Sequence, residues 1–318
     1  MQYYLAPMQS LTGYVFRNAY NKHFHNIDKY FTPFLSSKGL SSKDKNEIIP
    51  EHNQGMLVVP QIMTNQTDVF LEIARQLEDY GYTSVNLNLG CPSGTVVPKK
   101  RGAGLLADLD MLDRLLDEIF TKCPIRISIK TRIGMENPTE WEDIQTIYNR
   151  YPLEELIIHP RLQQDQYKNH PNLEIFSEAL EQIQYPVCYN GDLHSVNQYK
   201  AFTEQFPQVT TVMLGRGILK NPGLIDELTG NAPVTAETLL AFHEDILAGY
   251  KEEISGDINI LYKMKELWSY FGDSFKNCDQ FAKRMKKMMK TKSLPEFHSI
   301  ANQFLAEYNC QANELPIV

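Results

Sequence analysis

Cysteine is scarce. The chain carries five, Cys91, Cys123, Cys188, Cys278 and Cys310, widely scattered and odd in number. That pattern argues against a disulfide framework or a close zinc cluster, and for a reducing cytosol. No run approaches the roughly 18 apolar residues of a membrane span. The opening MQYYLAPMQS lacks the basic region and long apolar stretch of a signal peptide and reads instead as a strand starting almost at residue 1. A cytoplasmic protein with no membrane partner and no metal is expected. A basic excess is also missing: the net charge of −8 speaks against a polyanionic partner, although net charge hides local patches. Finally, no Gly-x-Gly-x-x-Gly turn follows the first strand-like run, where APMQSLTG stands. This argues against a doubly wound dinucleotide-binding sheet.

What is present is ordinary in bulk and regular in order. The 318 residues, 42% hydrophobic and 22% charged, suit a soluble globular protein of one large domain or one large plus one small. Eight β-rich runs occur, at 3–8, 29–35, 56–63, 84–90, 125–132, 155–161, 185–191 and 210–217. Helical patterns lie between most of them. TDVFLEIARQLEDYG reads as a helix with Thr67 as N-cap and Gly81 at its end. Alternating strand and helix predict an α/β fold with a parallel sheet, and eight units in about 220 residues predict a closed (β/α)8 TIM barrel. Beyond residue 233 four amphipathic segments follow with short turns, which predicts a small all-helical bundle. The expected domains are 1–232 and 233–318. The last segment opens on Ser293, with Glu296 placed to complete a capping box.

In such barrels chemistry sits at the C-terminal strand ends. The runs deliver Pro7, Met8 and Gln9 from the first, Gln61 from the third, and Asn88 and Cys91 from the fourth. The fifth brings Lys130 and Arg132, and the sixth His159 and Arg161. Asn190, Gly191 and Asp192 follow from the seventh, and Gly215, Arg216 and Gly217 from the eighth. The last two loops suit a phosphate, through glycine N–H groups and the Arg216 charge. An internal lysine needs a partner, because a buried unpaired ammonium is costly. Phosphate grip, amides and lysine together look like an FMN site. A sugar-phosphate or pyridoxal phosphate barrel is the alternative, with Lys130 as Schiff-base lysine.

The stretches PQI, NLNLGCPS, GAGLL (102–106), IKTRIG, IIHPR, YNGD and MLGRG, in that order, resemble the tRNA-dihydrouridine synthases. The resemblance implies FMN-dependent reduction of a tRNA uridine to 5,6-dihydrouridine, with NADPH as reductant. Carried over, Cys91 is the general acid that protonates C5, a role suited to a thiol, which ordinarily holds its proton at neutral pH. FMN falls to Pro7, Met8, Gln9, Gln61, Lys130, His159, Asn190, Gly191, Asp192, Gly215 and Arg216. Asn88 is placed to read the uracil edge, with Asn86 structural. Arg132 and Arg161 are also assigned to substrate, as are Lys99, Lys100 and Arg101 in the loop after Cys91. A flipped-out base is implied. Between 276 and 292 there are seven basic residues and one acid. Lys276, Lys283, Lys287 and Lys290 are read as one helical face open to phosphates, opposite Phe281, Met285 and Met288. A monomer is expected. Two other functions remain open: an FMN-barrel reductase of a small molecule, and a non-catalytic tRNA-binding protein.

Overall fold

The computed structural model describes residues 1–308; Cys310 lies outside them. Among the described residues nine parallel strands form one sheet. They are β1 (Gln2–Leu5), β2 (Lys29–Phe31), β3 (Val58–Val59), β4 (Gln61–Ile62), β5 (Ser84–Leu89), β6 (Arg126–Arg132), β7 (Leu156–His159), β8 (Val187–Tyr189) and β9 (Thr211–Leu214). Their order is β3-β2-β1-β9-β8-β7-β6-β5-β4. The two end strands are halves of one run interrupted at Pro60, which has no N–H to give to a ladder. Val58–Val59 pairs with β2 while Gln61–Ile62 pairs with β5, so this run closes the ring. The expected eight strand positions are thus present, the third being broken in two.

Alternation decides what each strand face does. In β5 the odd positions Val85, Leu87 and Leu89 are apolar and fully buried, and the even positions Asn86 and Asn88 lie on the other face. The register aligns Gln61 with Asn86, Asn86 with Ser128, and Asn88 with Lys130. These inward positions make one side of the barrel interior polar. The other side is apolar, built from Tyr4, Ala6, Phe31, Val59, Ile157, Cys188 and Met213. Beneath it lies a paired charge. Glu155 accepts from Lys29 Nζ at 2.7 Å and from the Tyr4 hydroxyl at 3.0 Å, and Lys29 stands 4.7 Å from the centre of the Tyr4 ring. Burial first, then Glu155, raises the Tyr4 phenol far above its ordinary pKa.

The chain forms two compact units that interleave along the sequence, whereas the sequence pattern places one boundary at 232/233. The first comprises Met1–Pro7, Asp28–Asp192 and Phe206–Leu214, and holds all nine strands. The second comprises Met8–Ile27, Leu193–Gln205 and the residues from Gly215, and is helical among the described residues. Within it, the Tyr14–Phe24 helix packs on the Ala236–Glu253 helix. Phe16, Tyr20 and Phe24 surround Phe242 edge-on at 5.6, 6.2 and 5.3 Å. Gly249 permits that approach, since a Cβ there would meet Val15 at 2.7 Å.

Several helix ends differ from the sequence reading. Gln66, not Thr67, is the N-cap of the Thr67–Asp79 helix, while Gly81 does take the left-handed backbone after it (φ +89°). Ser293 caps the Leu294–Ala306 helix through Glu296 N, but the Glu296 carboxylate turns to Thr291 and Lys287, leaving the capping box half made. The expected basic helix starts only at Phe281, because Gln280 adopts a left-handed conformation. Lys276 therefore lies outside that helix, paired with Asp273 at 3.1 Å.

The Glu155 cluster gives a direct stability test. Glu155→Ala leaves Lys29 and the Tyr4 hydroxyl without their acceptor in a poorly hydrated place, so unfolding free energy should fall by about 3–5 kcal/mol. Chemical denaturation of the single variant and of Glu155→Leu with Lys29→Met measures this. The double variant, which leaves no orphaned charge, should recover most of the loss.

Candidate active site

The first unit brings Gln61, Asn86, Asn88 and Cys91 into one hydrogen-bonded set at the polar side of the barrel. Gln61 is fully buried and both ends of its amide are engaged. Its Nε2 donates to Asn86 Oδ1 at 2.7 Å, and its Oε1 accepts from Asn88 Nδ2 at 2.8 Å. Asn86 in turn donates to Ser128 Oγ at 2.9 Å. The far end of this chain reaches Cys91. Asn88 Oδ1 accepts from both Gly90 N and Cys91 N, each at 3.0 Å. Asn88 Oδ1 is thus committed to the cysteine loop, while its Nδ2 gives one hydrogen to Gln61.

Three more bonds fix the Cys91 segment. Arg132 Nε donates to Gly90 O at 3.0 Å, Ala103 N to Cys91 O at 3.1 Å, and Gln163 Nε2 to Pro92 O at 3.2 Å. Gly102 packs directly against the cysteine. Its φ is +55°, and a Cβ there would lie 2.9 Å from both Cys91 Cβ and Cys91 O. The side chain of Cys91 itself remains partly exposed. A partly exposed cysteine held at its backbone is suited to meet a ligand.

Arg132 and Arg161 are almost wholly buried and spend their donors within the protein. Arg132 reaches Leu162 O at 2.8 Å and Gln166 O at 2.7 Å besides Gly90, and lies 5.5 Å from the Tyr167 ring centre. Arg161 forms a two-pronged pair with Asp192 and donates to Asn169 O at 2.6 Å and to His159 Nε2 at 2.9 Å. Both arginines thereby hold the loops after β5 and β7 in place. Asn190 Nδ2 donates to Met213 O at 2.8 Å, tying β8 to β9. Gly191 is crowded, since a Cβ would sit 2.0 Å from the Tyr189 hydroxyl. Gln163 and Tyr167 join the site without belonging to any of its motifs. Their only signal is an unusually polar run, LQQDQYKNH, after Arg161.

Lys130 is different. Its neighbours on the strand ladder are Asn88 and Ile157. Among the described residues no acid and no hydrogen-bond acceptor meets its ammonium. Burial first, then the Arg132 guanidinium, push its pKa down to about 8, against a smaller opposing effect of Cys188 and Cys91. An unpaired amine beside a ring of amides fits the electron-rich edge of a flavin.

Of the loop after Cys91, Lys100 turns back to Asp108 at 2.8 Å, while Lys99 is exposed and Arg101 partly exposed. In the second unit Met8 N donates to Thr12 Oγ1 at 2.8 Å and Gln9 is exposed. Gly215 is the N-cap of the short Arg216–Lys220 helix, and Gly217 packs so closely that a Cβ would lie 2.4 Å from Leu193 O. Lys283 and Lys290 are exposed on the Phe281–Lys290 helix with no acid beside them among the described residues, and Lys286 shares their face. Lys287 pairs with Glu296 at 3.1 Å, and both are well exposed, so that pair is weak. Met288 is buried opposite them, as expected. Arg284 leaves the basic face, lying 4.1 Å from the Phe304 ring centre and bonding Glu307 at 2.6 Å.

Comparison with known proteins follows the same outline. The family model for dihydrouridine synthases matches residues 4–309. A Staphylococcus aureus protein named as a probable tRNA-dihydrouridine synthase is 26% identical over 318 residues, covering 95% of this chain and 93% of the relative. A Pseudomonas putida protein named tRNA-dihydrouridine(16) synthase is 26% identical over 234 residues, covering 70% of this chain and 72% of its own. An old yellow enzyme homologue from Zymomonas mobilis has a similar fold, with a TM-score of 0.51 and 10% identity over 76% of this chain and 92% of its own. No helix among the described residues is long and apolar enough to cross a membrane.

Lys130 can be tested without any ligand. Its folded pKa of about 8 lies below the ordinary 10.5, so the unfolded chain binds more protons between those values and stability rises with pH there. Below pH 8 the buried ammonium costs stability in full. Lys130→Met should therefore raise the Tm of the ligand-free protein at pH 7, and the gap should close between about pH 8 and 10.5. Thermal melts across that range check it; a gap that stays constant with pH would count against a buried, unpaired ammonium.

Proposed function

The chain belongs to the dihydrouridine synthase family, and from that premise we propose that it reduces a uridine of tRNA to 5,6-dihydrouridine using FMN and NADPH. The observation that carries the reading is the placement of Cys91. It is a partly exposed thiol, fixed through Asn88, Arg132 and Gly102 at the end of a barrel strand next to an unpaired lysine.

When bound, reduced FMN would supply hydride to C6 of the uracil, and NADPH would restore its electrons. The chain's own residues then have distinct tasks. Cys91 Sγ gives a proton to C5, so that hydride and proton together saturate one C=C bond. Lys130 holds positive charge beside the flavin ring, and Gln61 offers it the amide hydrogen not used within the barrel. His159, Asn190, Gly191 and Asp192, with Pro7, belong to the same cofactor in this proposal. Met8, Gln9, Gly215 and Arg216, in the second unit, keep their assignment to FMN on the sequence pattern. Arg132 and Arg161 act by holding loops. The uracil must leave its stack to reach Cys91. Lys99 and Arg101 are the loop cations free to meet RNA, with Lys100 held by Asp108.

The segment 233–318 is proposed to grip the tRNA backbone through Lys283, Lys286, Lys290 and the weakly paired Lys287 of its Phe281–Lys290 helix. Four cations on one face offset the −8 of the chain locally. A monomer acting in the cytoplasm completes the proposal. The position named for the Pseudomonas putida relative makes uridine 16 the first to assay.

Cys91→Ala decides the chemistry. Dihydrouridine formation should drop by about 10²–10⁴-fold, the usual contribution of a general acid, while flavin content and reduction by NADPH stay normal. A variant working at the wild-type rate would remove Cys91 from the reaction. For the RNA face, Lys283→Ala with Lys290→Ala should raise the KM for tRNA and leave flavin reduction untouched. The slope of log affinity against log salt should flatten by about 0.7–0.9 for each phosphate that no longer meets a lysine. Unchanged KM and slope would return the helix to a solvated surface.

A further inference from the structure

The helical unit contains a polar cluster that neither the barrel chemistry nor the RNA face uses. His243 and Glu244 lie on the Ala236–Glu253 helix, and His298 lies on the Leu294–Ala306 helix. One donor atom from each of the three lies within 4.8 Å of the others. His298 Nε2 is 2.5 Å from Glu244 Oε1, and His243 Nδ1 is 3.5 Å from the same oxygen. The two imidazole rings are nearly parallel, 5.9 Å apart.

Two features are costly for a site with no ligand. His243 is completely buried, yet neither of its ring nitrogens has a hydrogen-bond partner. A buried polar group left unpaired costs about 1–3 kcal/mol. Beside it Asn302 approaches His298 Nε2 at 3.4 Å through its Nδ2, while its Oδ1 is buried and unpaired. A protein that hides a histidine in an aromatic wall, with Trp268 edge-on at 5.7 Å, has built a place where a lone pair awaits an acceptor.

We propose that His243, Glu244 and His298 bind one divalent transition-metal ion, with zinc the best match, as a clamp between these two helices. Two imidazoles and a carboxylate are a donor set typical of zinc. Ligand atoms about 2.0–2.1 Å from one tetrahedral ion stand about 3.4 Å apart. The His243–Glu244 separation already has that value. The shorter His298–Glu244 contact opens by under about 1 Å when the shared charge between them becomes a metal ion. His298 and Glu244 are 34% and 42% exposed, so the fourth position faces solvent and takes water or Asn302. The scattered cysteines exclude a thiolate site but have no bearing on this one, and the sequence offers no familiar spacing because the ligands come from positions 243, 244 and 298.

The test uses the full chain, treated with a chelator and titrated with zinc chloride by calorimetry. One ion per chain with micromolar or tighter affinity is expected, together with a rise in Tm. His298→Ala and Glu244→Gln, both at partly exposed positions, should each weaken binding by at least about tenfold while keeping the metal-free Tm within a few degrees. Cobalt(II) in place of zinc should quench the fluorescence of Trp268 and show tetrahedral visible bands, in wild type and in Cys91→Ala alike. The proposal is overturned if no ion binds, or if binding survives both variants unchanged. The cluster is then an ordinary hydrogen-bonded histidine–glutamate pair.

Discussion

One side of the barrel interior carries Gln61, Asn86, Asn88 and Ser128, and buried polar groups must find partners or cost stability in full. That requirement organises the site. Gln61, Asn86, Asn88 and Ser128 satisfy one another in a line across three strands. The line ends on the backbone of the cysteine loop, so the same bonds that make the interior tolerable also hold Cys91 still. Arg132 applies the same economy from the other side, giving one donor to Gly90 and two to the loop that follows His159. Lys130 is left without a partner among the described residues. Beside a network whose other members bond one another, an unpaired ammonium marks where something from outside can bind.

Much of this was legible in the sequence, and for definite reasons. Strands buried on both faces still alternate when one face lines a polar lumen, so SVNLNL announces both its strand and its inward asparagines. The Leu109–Lys122 helix shows its apolar stripe plainly, with Leu112, Leu115, Leu116 and Ile119 buried. The position of Cys91 at a strand end could be read because Gly90 weakens a strand and Pro92 has no N–H to give to a ladder.

What was not legible depended on distance along the chain. Whether Asn88 faces a ligand or a loop is decided by two N–H groups whose direction no pattern reveals. The fate of Arg132 depends on carbonyls at 162 and 166, some thirty residues away. Pro60 carries a usable signal, a proline inside a strand run, but the apolar residues on either side of it make the run look continuous. Arg284 counts as one more surface cation until its packing on Phe304 takes it out of the basic face. The division of the chain is hardest of all, because which sheet-flanking helices join the C-terminal ones is a matter of packing partners, not of composition.

The helix at Tyr14–Phe24 illustrates what that packing demands of the living chain. Its aromatic face closes on Phe242, more than two hundred residues further on. On a ribosome making about 5–20 residues per second, those rings emerge ten seconds or more before their partner exists. Meanwhile strands β1 and β2, which flank the helix in sequence, are already available to pair. A nascent chain must therefore carry an exposed aromatic stripe until Phe242 has been made. The encounter that buries it joins segments more than two hundred residues apart, so a chain stopped before Phe242 is left displaying that stripe to whatever surveys hydrophobic surface in the cell.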